Sequence, residues 1–260
     1  MRDPIDHQQL GKTERCKMRR EYSREKLKQF FLGLLDGDGS IQCNHWRRKG
    51  LQYRFVIKLK NHPANVKMLL LIKQHFGGVA RPSGADHFLW VENHQRRIWQ
   101  LSAILERYPP LTSRVLCQWQ FLKQCGEHKS VQWMLENRQY KYAKQEEWRT
   151  LLLREQLSRR SYWPLWCSGF IEAEGCFSLR RGENHSFSIG QKNDLYLIDS
   201  LRRYFGGTNS VRTIGKDFYF WEVYKRSVLK NIYNHCQQHP LLGEKSCSLC
   251  RFANVVDVHS

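Results

Sequence analysis

The stretch FFLGLLDGDGSIQC, Phe30–Cys43, decides the fold of this chain. A mostly apolar run leads into two aspartates, Asp36 and Asp38, which only Gly37 separates, and alternating apolar and polar residues follow. The run predicts a helix and the alternation predicts a strand. Two neighbouring acids at the end of a helix repel each other and oppose the helix dipole. The pattern therefore indicates more than an ordinary helix end.

The same pattern occurs a second time in WCSGFIEAEGCFSL, Trp166–Leu179. Both stretches contain glycine, two apolar residues, an acid, a small residue, an acid and glycine, in that order. Three further markers recur in the same order, namely HFGGVAR (His75–Arg81) with YFGGTNS (Tyr204–Ser210), HFLWVEN (His87–Asn93) with DFYFWEV (Asp217–Val223), and YPPLTSR (Tyr108–Arg114) with QHPLLGEK (Gln238–Lys245). The chain is therefore an internal duplication.

Each copy is predicted to run αββαββα, which gives a mixed α/β (α+β) fold built from two pseudo-symmetric repeats. The first helix begins at a cap, Ser23 in one copy and the residues before Pro164 in the other. The predicted strands are Ser40–Arg47, Leu51–Lys60, Cys176–Arg181 and Ser186–Lys192, and the predicted helices span about Pro63–Phe76 and Asp194–Phe205, with further helices from Gln95, from Arg226 and after the prolines.

These elements divide the chain into a basic N-terminal arm (1–22), a first repeat (23–125), a charged, partly helical linker (126–161) and a second repeat (162–260). The arm carries charges throughout and has no apolar segment of the kind found in signal peptides. No apolar run reaches the roughly 18 residues of a membrane span. We therefore expect neither a secretory signal nor a transmembrane helix.

The charge balance indicates an anionic partner. The chain has 43 Lys and Arg against 24 Asp and Glu, a net charge of +19. Nucleic acid is the first candidate for such a partner, and an acidic membrane surface is the second. The nine cysteines are scattered, and several lie inside apolar patterns. In the absence of a secretory signal they predict a reducing compartment and buried free thiols.

Gly33 and Gly169 lie three residues before the first acid of each motif. Glycine inside a helix costs roughly 1 kcal/mol relative to alanine, so these positions need a reason. A missing side chain lets two backbones approach closely, which predicts that the two motif helices pack against each other around a pseudo-twofold axis. Asp38 and Glu174 would then converge at the ends of these helices.

Converging carboxylates suit a divalent cation that prefers oxygen ligands. Mg²⁺ accepts one or two carboxylates together with water and phosphate oxygens, and two adjacent sites suit in-line hydrolysis of a phosphodiester. Asp36 and Glu172 precede Asp38 and Glu174 by two positions and cannot share their helical face. We predict a structural role for them at the helix ends. The alternative for the whole motif is two helix ends with solvated acids.

The paired motifs and the repeated order of elements resemble the LAGLIDADG homing endonucleases in their single-chain, two-repeat form. The markers cover the chain from about Ser23 to Val258. The resemblance implies a monomer whose two antiparallel sheets form a saddle across double-stranded DNA. It also implies metal-dependent hydrolysis of both strands, with a short stagger, at a long recognition site.

By position in the motif, the resemblance assigns metal binding to Asp38 and Glu174, assisted by the backbone carbonyls of Gly37 and Ala173. The implied cofactor is Mg²⁺, with Mn²⁺ or Ca²⁺ able to replace it for binding. It assigns a surrounding catalytic role to two further residues, a water-positioning Gln191 and a basic Lys225.

The first copy departs from the second at both of these catalytic positions. Leu59 stands where Gln191 stands, and Asn93 and His94 stand where Lys225 does. The two half-sites should therefore be chemically unequal, and the two DNA strands need not be cut at the same rate. The alternative for Lys225 is an ordinary surface lysine.

Ser40 to His62 contains six Lys and Arg residues and no acid, whereas an ordinary surface mixes charges. Strand residues two apart share a face, and Gln, Asn and Arg are the side chains that pair with base edges in the major groove. The alternative is a solvated sheet face. The predicted DNA-binding residues are Ser40, Gln42, Asn44, Trp46, Arg48, Gln52, Arg54, Lys58, Lys60, Arg81, Ser178, Arg180, Ser186, Ser188 and Arg212.

A zinc site is a further candidate near the C-terminus. Cys236, His239, Cys247 and Cys250 have spacings that a zinc site could use. Against this, the matching stretch of the first copy has no such ligands, and Cys247 and Cys250 fit the core side of a helix.

We therefore predict a monomeric, intron-encoded, site-specific homing endonuclease, a magnesium-dependent nuclease and hydrolase that makes a staggered double-strand break. Two alternatives share the scaffold. One is a maturase, an RNA-binding cofactor of intron splicing whose partner would be intron RNA, and the other is a DNA-binding protein that does not cleave. The resemblance also implies synthesis in an organelle, a chloroplast or mitochondrion.

Overall fold

The computed structural model describes residues 22–179 and 185–256. The predicted N-terminal arm lies outside these ranges apart from Tyr22, and so do residues 180–184, which include Arg180. No helix in the described ranges is both long and apolar enough to cross a membrane.

The first repeat contains six helices and strands in the predicted order, followed by two more helices. Its elements are α1 (Arg24–Asp38), β1 (Gly39–Trp46), β2 (Gly50–Lys60), α2 (Pro63–Phe76), β3 (Val79–Pro82), β4 (His87–Glu92), α3 (Gln95–Arg107) and α4 (Ser113–His128). The αββαββα order is confirmed, with α4 as the additional helix after the prolines.

The linker is partly helical, as predicted. It contains α5 (Val131–Asn137) and α6 (Gln145–Leu153), together with single 3₁₀ turns at Arg138–Tyr140 and Leu157–Arg159. Since α4 continues to His128, the predicted start of the linker at residue 126 falls inside that helix.

The second repeat follows the same order as the first. Its elements are α7 (Trp163–Glu174), β5 (Cys176–Ser178), β6 (Ser186–Lys192), α8 (Leu195–Tyr204), β7 (Arg212–Ile214), β8 (Phe218–Val223), α9 (Arg226–Gln238) and α10 (Glu244–Val256). The predicted strand Cys176–Arg181 is shorter than expected, because β5 ends at Ser178 and Arg180 and Arg181 lie outside the described ranges.

Each repeat forms one antiparallel sheet of four strands. The strand orders are β1-β2-β4-β3 and β5-β6-β8-β7, so the two sheets have the same topology. Ser40 pairs with Val56 in the first sheet, and Cys176 pairs with Ser188 in the second. The equivalent positions thus have equivalent partners, as the duplication predicts.

Helices α1 and α7 pack against each other through their glycines. A Cβ atom at Gly33 would lie 1.9 Å from the carbonyl oxygen of Trp166, and one at Gly169 would lie 2.0 Å from that of Phe30. Side chains do not approach backbone atoms this closely, so only glycine fits at either position. The predicted close approach of the two motif helices is confirmed.

Asp36 and Glu172, the first acids of the two motifs, are buried and hold the starts of other helices. Asp36 accepts hydrogen bonds from the backbone N–H of Leu111 (2.8 Å) and of Thr112 (3.2 Å), just before α4. Glu172 accepts from the backbone N–H of Gly243 and Lys245, both at 2.9 Å, at the start of α10. Their structural role is therefore to hold the start of the last helix of each repeat in place, rather than to stabilise the end of their own helix.

The last helix of each repeat is also held by the other repeat. Asp194 of the second repeat accepts hydrogen bonds from the backbone N–H (3.0 Å) and the hydroxyl (2.5 Å) of Ser113 at the start of α4. Asn65 of the first repeat accepts one from the backbone N–H of Glu244 (2.8 Å) at the start of α10. The two repeats are thus cross-linked in both directions.

The described cysteines are free thiols, and four of them are buried as predicted, Cys117, Cys125, Cys167 and Cys236. Three others are exposed instead, namely Cys176, Cys247 and Cys250. The prediction of buried thiols holds for the core positions only.

His235 is a buried, uncharged member of the second repeat. Its Nε2 lies 3.2 Å from the hydroxyl oxygen of Ser168, and its Nδ1 lies 3.2 Å from that of Tyr204. Burial, helped by the neighbouring His239, lowers the pKa of His235 to about 3. The unfolded chain, with an ordinary histidine pKa near 6.5, then binds this proton first on acidification.

We expect His235 to make the fold acid-sensitive. Its contribution to stability is fully present above about pH 6.5 and is lost as the pH falls toward 3, by up to about 1.4 kcal/mol per pH unit. The variant His235→Gln should therefore lose less stability than the native protein between pH 7 and pH 5, as measured by urea unfolding. Exposed His87→Gln is the control, and equal losses in all three proteins would contradict the assignment.

Candidate metal and DNA-binding site

Asp38 and Glu174 are the last residues of α1 and α7. Gly39 and Gly175 follow, and their backbone N–H groups close the helices onto Leu35 and Ile171. Because α1 and α7 touch through their glycines, their final turns lie side by side. A Cβ at Gly37 would lie 2.3 Å from the Cβ of Ala173 and 3.4 Å from Oε1 of Glu174. The ends of the two motifs therefore converge.

The two acids have raised pKa values. Burial raises the pKa of Asp38 to about 6, against the lowering effect of the Lys245 and Arg114 charges. Burial, and then the charge of Asp38, raise the pKa of Glu174 to about 7, again against Arg114 and Lys245. Asp38 is nevertheless open to solvent and Glu174 is partly so. A hydrated cation can therefore reach both carboxylates from the solvent side.

The donor set at these helix ends fits a hard divalent cation. It comprises two carboxylates and the neighbouring backbone carbonyls of Gly37 and Ala173, all oxygen donors of the kind that Mg²⁺ and Ca²⁺ prefer. Within residues 22–179 and 185–256 no group of three or more His, Cys, Asp or Glu side chains could hold a metal. A cation here would therefore keep positions for water and for phosphate oxygens.

The zinc alternative finds no support in the same ranges. Cys236 is buried in the core, whereas Cys247 and Cys250 are exposed on α10. His239 follows α9, and its ring lies against that of His235 with the centroids 5.1 Å apart. The four side chains do not form a ligand cluster.

Arg114 and Lys245 are functional candidates that the sequence analysis missed. Arg114 donates hydrogen bonds to the backbone carbonyls of Gly39 (2.7 Å), Asp36 (2.8 Å) and Gly37 (2.9 Å). Lys245 occupies the equivalent place in the second repeat, as the alignment of YPPLTSR with HPLLGEK indicates. The two aligned markers both end in a basic residue, which the sequence showed. The sequence did not show that this residue contacts the end of the motif helix.

Gln191 and Lys225 lie in very different surroundings. Gln191 is 8% exposed and lies on β6 opposite Tyr219. Its side chain lies on the same face of β6 as the core residues Phe187 and Ile189. Lys225 is exposed just before α9 and lines an open cavity of about 430 Å³.

The strand register supports the predicted inequality of the two halves. Leu59 lies opposite Phe88 in β4, just as Gln191 lies opposite Tyr219 in β8. Leu59 is a buried apolar residue, so it cannot provide the hydrogen bonds that an amide can. His94 immediately precedes α3, as Lys225 precedes α9.

The open face of the first sheet matches the predicted DNA face. Gln42 pairs with Arg54 and Asn44 pairs with Gln52, all on the side away from the core. Trp46 is 56% exposed. The remaining candidates on this side are Ser40, which is partly exposed, and Lys58, Lys60 and Arg81, which are exposed.

Arg48 departs from the predicted strand face. Strand β1 ends at Trp46, and Arg47 and Arg48 have positive φ angles of 46° and 59°. These two residues form the turn to β2, so the alternation that predicted a shared face stops before them. Arg48 lies at the tip of the hairpin instead.

The corresponding face of the second sheet is partly closed. Ser186 is 0% and Ser188 is 8% exposed, so neither side chain is accessible in this conformation, and their contact with DNA stays a prediction. Ser186 donates a hydrogen bond to Glu222 (3.2 Å), which also pairs with Arg212 (2.9 Å). Ser178 is partly exposed, and Arg180 lies outside the described ranges.

Gly190 shows why the second face closes. The ring of Phe218 lies 2.6 Å from the place where a Cβ of Gly190 would be, so aromatic rings fill the space over this strand. In the first sheet the equivalent position is Lys58, which is exposed. The first face is therefore basic and open, whereas the second is more aromatic and has its Arg212 charge compensated by Glu222.

The chain matches a family model and curated relatives over most of its length. The family model described as LAGLIDADG endonuclease matches residues 31–125 and 167–256. A Debaryomyces hansenii protein named "Probable intron-encoded endonuclease aI3" is 39% identical over 259 residues, which cover 88% of this chain and 38% of that protein. A Dictyostelium citrinum protein of the same name is 36% identical over 241 residues, which cover 91% of this chain and 98% of that protein.

Solved structures share the fold. The chain superposes on I-SmaMI bound to an uncleaved DNA target in the presence of calcium ions with a TM-score of 0.65 and 17% identity, over 88% of this chain and 90% of that one. For the meganuclease I-CpaMI bound to uncleaved DNA the TM-score is 0.66 at 20% identity, over 89% and 91%. At these identities the likeness concerns the fold alone.

Proposed function

The chain belongs to the LAGLIDADG endonuclease family, and on that premise we propose that it is a site-specific homing endonuclease. In this proposal it makes a staggered double-strand break in a long DNA target by divalent-metal-dependent hydrolysis. The observation that carries the proposal is the convergence of the α1 and α7 ends, which bear Asp38 and Glu174. Both motif helices come from one chain, so a monomer completes the site.

In the proposed reaction Asp38 and Glu174 hold the cation through their carboxylates, and Gly37 and Ala173 assist with their carbonyls. Mg²⁺ is the proposed physiological ion. When bound, such an ion activates water for attack on a phosphodiester and stabilises the charge that develops on the phosphate. The charge of Asp38 adds to the effect of burial in raising the pKa of Glu174, and a bound cation would offset this repulsion between the two ionised carboxylates.

Gln191 and Lys225 are proposed to act on the water and on the scissile phosphate respectively. Lys225 is exposed and can reach an anion in the open cavity that it lines. Gln191 is buried, so its proposed role requires a shift of neighbouring side chains on DNA binding. The first repeat has neither group at the equivalent positions, and we expect one DNA strand to be cut faster than the other.

Base and backbone contacts are proposed to come chiefly from the first sheet. A two-stranded ribbon fits the major groove, and the polar and basic side chains of β1 and β2 lie on its open side. The proposed contacts are made by Ser40, Gln42, Asn44, Trp46, Gln52, Arg54, Lys58 and Lys60, with Arg48 at the hairpin tip and Arg81, Ser178 and Arg212 as outer contributors.

We expect DNA binding to depend steeply on salt, and Lys58 to contribute one phosphate contact. The variant Lys58→Ala should reduce the slope of log K against log salt concentration by about 0.9, since each neutralised phosphate contributes that amount. Lys73→Ala, on the exposed side of α2, is the matched control and should leave the slope unchanged. Fluorescence anisotropy with a duplex target measures both slopes, and identical slopes for the two variants would contradict the assignment.

The proposed function is tested by incubating the protein with a plasmid library of randomised targets and Mg²⁺, then sequencing the linear products. We expect cuts at one long site with staggered ends. Selective DNA binding without any cleavage would favour the non-cleaving DNA-binding protein. The maturase alternative stays a prediction, and its test is whether the protein raises the splicing rate of an intron transcript. We also propose an organellar gene, in line with the intron-encoded relatives.

A further inference from the structure

Arg114 joins the start of α4 to the end of α1. Its guanidinium donates to three carbonyls at the end of α1 and just after it, those of Asp36, Gly37 and Gly39, at 2.7–2.9 Å. The last carbonyls of a helix have no partner within the helix, so an external donor must satisfy them. Arg114 does this in the turn that carries Asp38.

The position of Arg114 is itself fixed by the same turn. Asp36 holds Leu111 and Thr112 at the start of α4 through its buried carboxylate, and it also accepts a hydrogen bond from Trp166 Nε1 (2.7 Å) in α7. The side chain of Asp36 therefore anchors the helix from which Arg114 returns to the backbone of Asp36 and Gly37. This closed loop leaves the α1 terminus little freedom to rotate.

In the second repeat Lys245 provides a positive charge at the position equivalent to Arg114, but within the described ranges it does not make the same hydrogen bonds. The backbone N–H of Lys245 donates to Glu172, as part of the cap on α10. In the described part of the chain no hydrogen bond joins its ammonium group to the carbonyls at the end of α7. An ammonium is a compact point charge, whereas a guanidinium presents a planar fork of donors. Both repeats thus place a positive charge beside the acids, but among the described residues only Arg114 donates hydrogen bonds to the end of its motif helix.

We propose that Arg114 is a positioning residue for the metal site, which orients the Gly37 carbonyl and the Asp38 backbone toward the cation. A carbonyl oxygen has two lone pairs, so Gly37 can accept from Arg114 and still bind a metal ion. Lys245 supplies positive charge beside the same acids but does not orient a metal-binding carbonyl. The inference rests on the proposed function, because it concerns the same cation site.

The test is a Ca²⁺ titration of DNA binding by the full chain, under conditions where Ca²⁺ supports binding. Arg114→Lys keeps the charge and loses the fork. We expect its Ca²⁺ midpoint to rise about tenfold, the lower end of the effect of losing an outer-shell partner, with DNA affinity in EDTA unchanged within about twofold. Lys245→Gln loses only charge beside the acids, so its midpoint should not rise.

A second variant separates positioning from simple loss of stability. Arg114→Ala opens space that added guanidinium ion can fill, so a low, non-denaturing concentration should return its Ca²⁺ midpoint toward the native value. Ammonium at the same ionic strength has the same charge but not the planar fork, and should not restore it. Rescue of this kind is not expected from a residue that only stabilises the fold.

An unchanged Ca²⁺ midpoint in Arg114→Lys would overturn the inference. A lower melting temperature with an unchanged midpoint would also overturn it, since Arg114 would then be structural only. If ammonium and guanidinium restored the Ca²⁺ midpoint of Arg114→Ala equally, the role of Arg114 would be to supply charge only, and the positioning role would be rejected. A native protein with neither Ca²⁺-dependent binding nor cleavage would instead reject the proposed function, and this inference with it.

Discussion

Asp38→Asn and Glu174→Gln should each reduce cleavage at least about 1,000-fold, which corresponds to roughly 4 kcal/mol of transition-state stabilisation. Each change replaces an ionised carboxylate with a neutral amide at the point where the two helix ends meet. The amide keeps the shape of the side chain but provides a weaker ligand for a divalent cation. Single-turnover cleavage with excess protein measures this loss, and DNA binding by the same variants should stay within a few fold of native.

The stability of the metal-free variants provides an independent check. The raised pKa values of Asp38 and Glu174 mean that ionisation destabilises the folded state. Native stability is therefore lost as the pH rises from about 4.5 through about 7. Glu174→Gln should melt above the native protein at pH 7.5, and the difference should shrink toward pH 5.

The exposed linker residue Glu136 offers the control variant Glu136→Gln, which should change neither cleavage nor the dependence of melting temperature on pH. Cleavage by Asp38→Asn or Glu174→Gln within tenfold of native would show that the acids are not essential. That result would reject the proposed metal site.

Gly33→Ala should cost about 3 kcal/mol of folding stability or prevent folding. The added Cβ would lie 1.9 Å from the backbone oxygen of Trp166, which is part of a buried helix and cannot rotate away as a side chain can. Overpacking typically costs 1–3 kcal/mol, and here two backbones must separate. The loss would reverse the usual gain of helix stability when alanine replaces glycine.

Gly50→Ala is the matched control, because no atom lies within 4 Å of the place for its Cβ. Urea unfolding of both variants measures the difference in free energy. Any folded Gly33→Ala protein should also cleave more slowly, since separation of α1 from α7 moves Gly37 away from Glu174. A Gly33→Ala protein as stable as Gly50→Ala would contradict this account of the helix contact.

Much of the fold could be predicted because the information is local and occurs twice. The alternation of β1 and β2 predicted which side of each strand is buried, and Tyr53, Phe55 and Ile57 are buried accordingly. Gly33 and Gly169 predicted the contact between α1 and α7. A glycine in the middle of a helix is costly, so its presence in both copies restricts the possible explanations.

The candidate site could be predicted only in part from the sequence. The motif predicted the convergence of Asp38 and Glu174 but not that Arg114 reaches the same helix end. Nor did it predict that the pairing of Glu222 with Arg212 and Ser186 helps to close the second sheet face. A strand pattern assigns a residue to a face, whereas its exposure depends on what neighbouring strands place over it.

The sequence by itself determined the duplication, the order of elements, the packed motif helices and the two acids at their ends. These follow from periodicity and from the cost of glycine and paired charges, which act within a few residues. Only the tertiary structure decided what Asp36, Glu172 and Arg114 bind, because their partners lie on helices distant in sequence. Hydrogen bonds require a defined distance and direction, and the packing of those helices sets both.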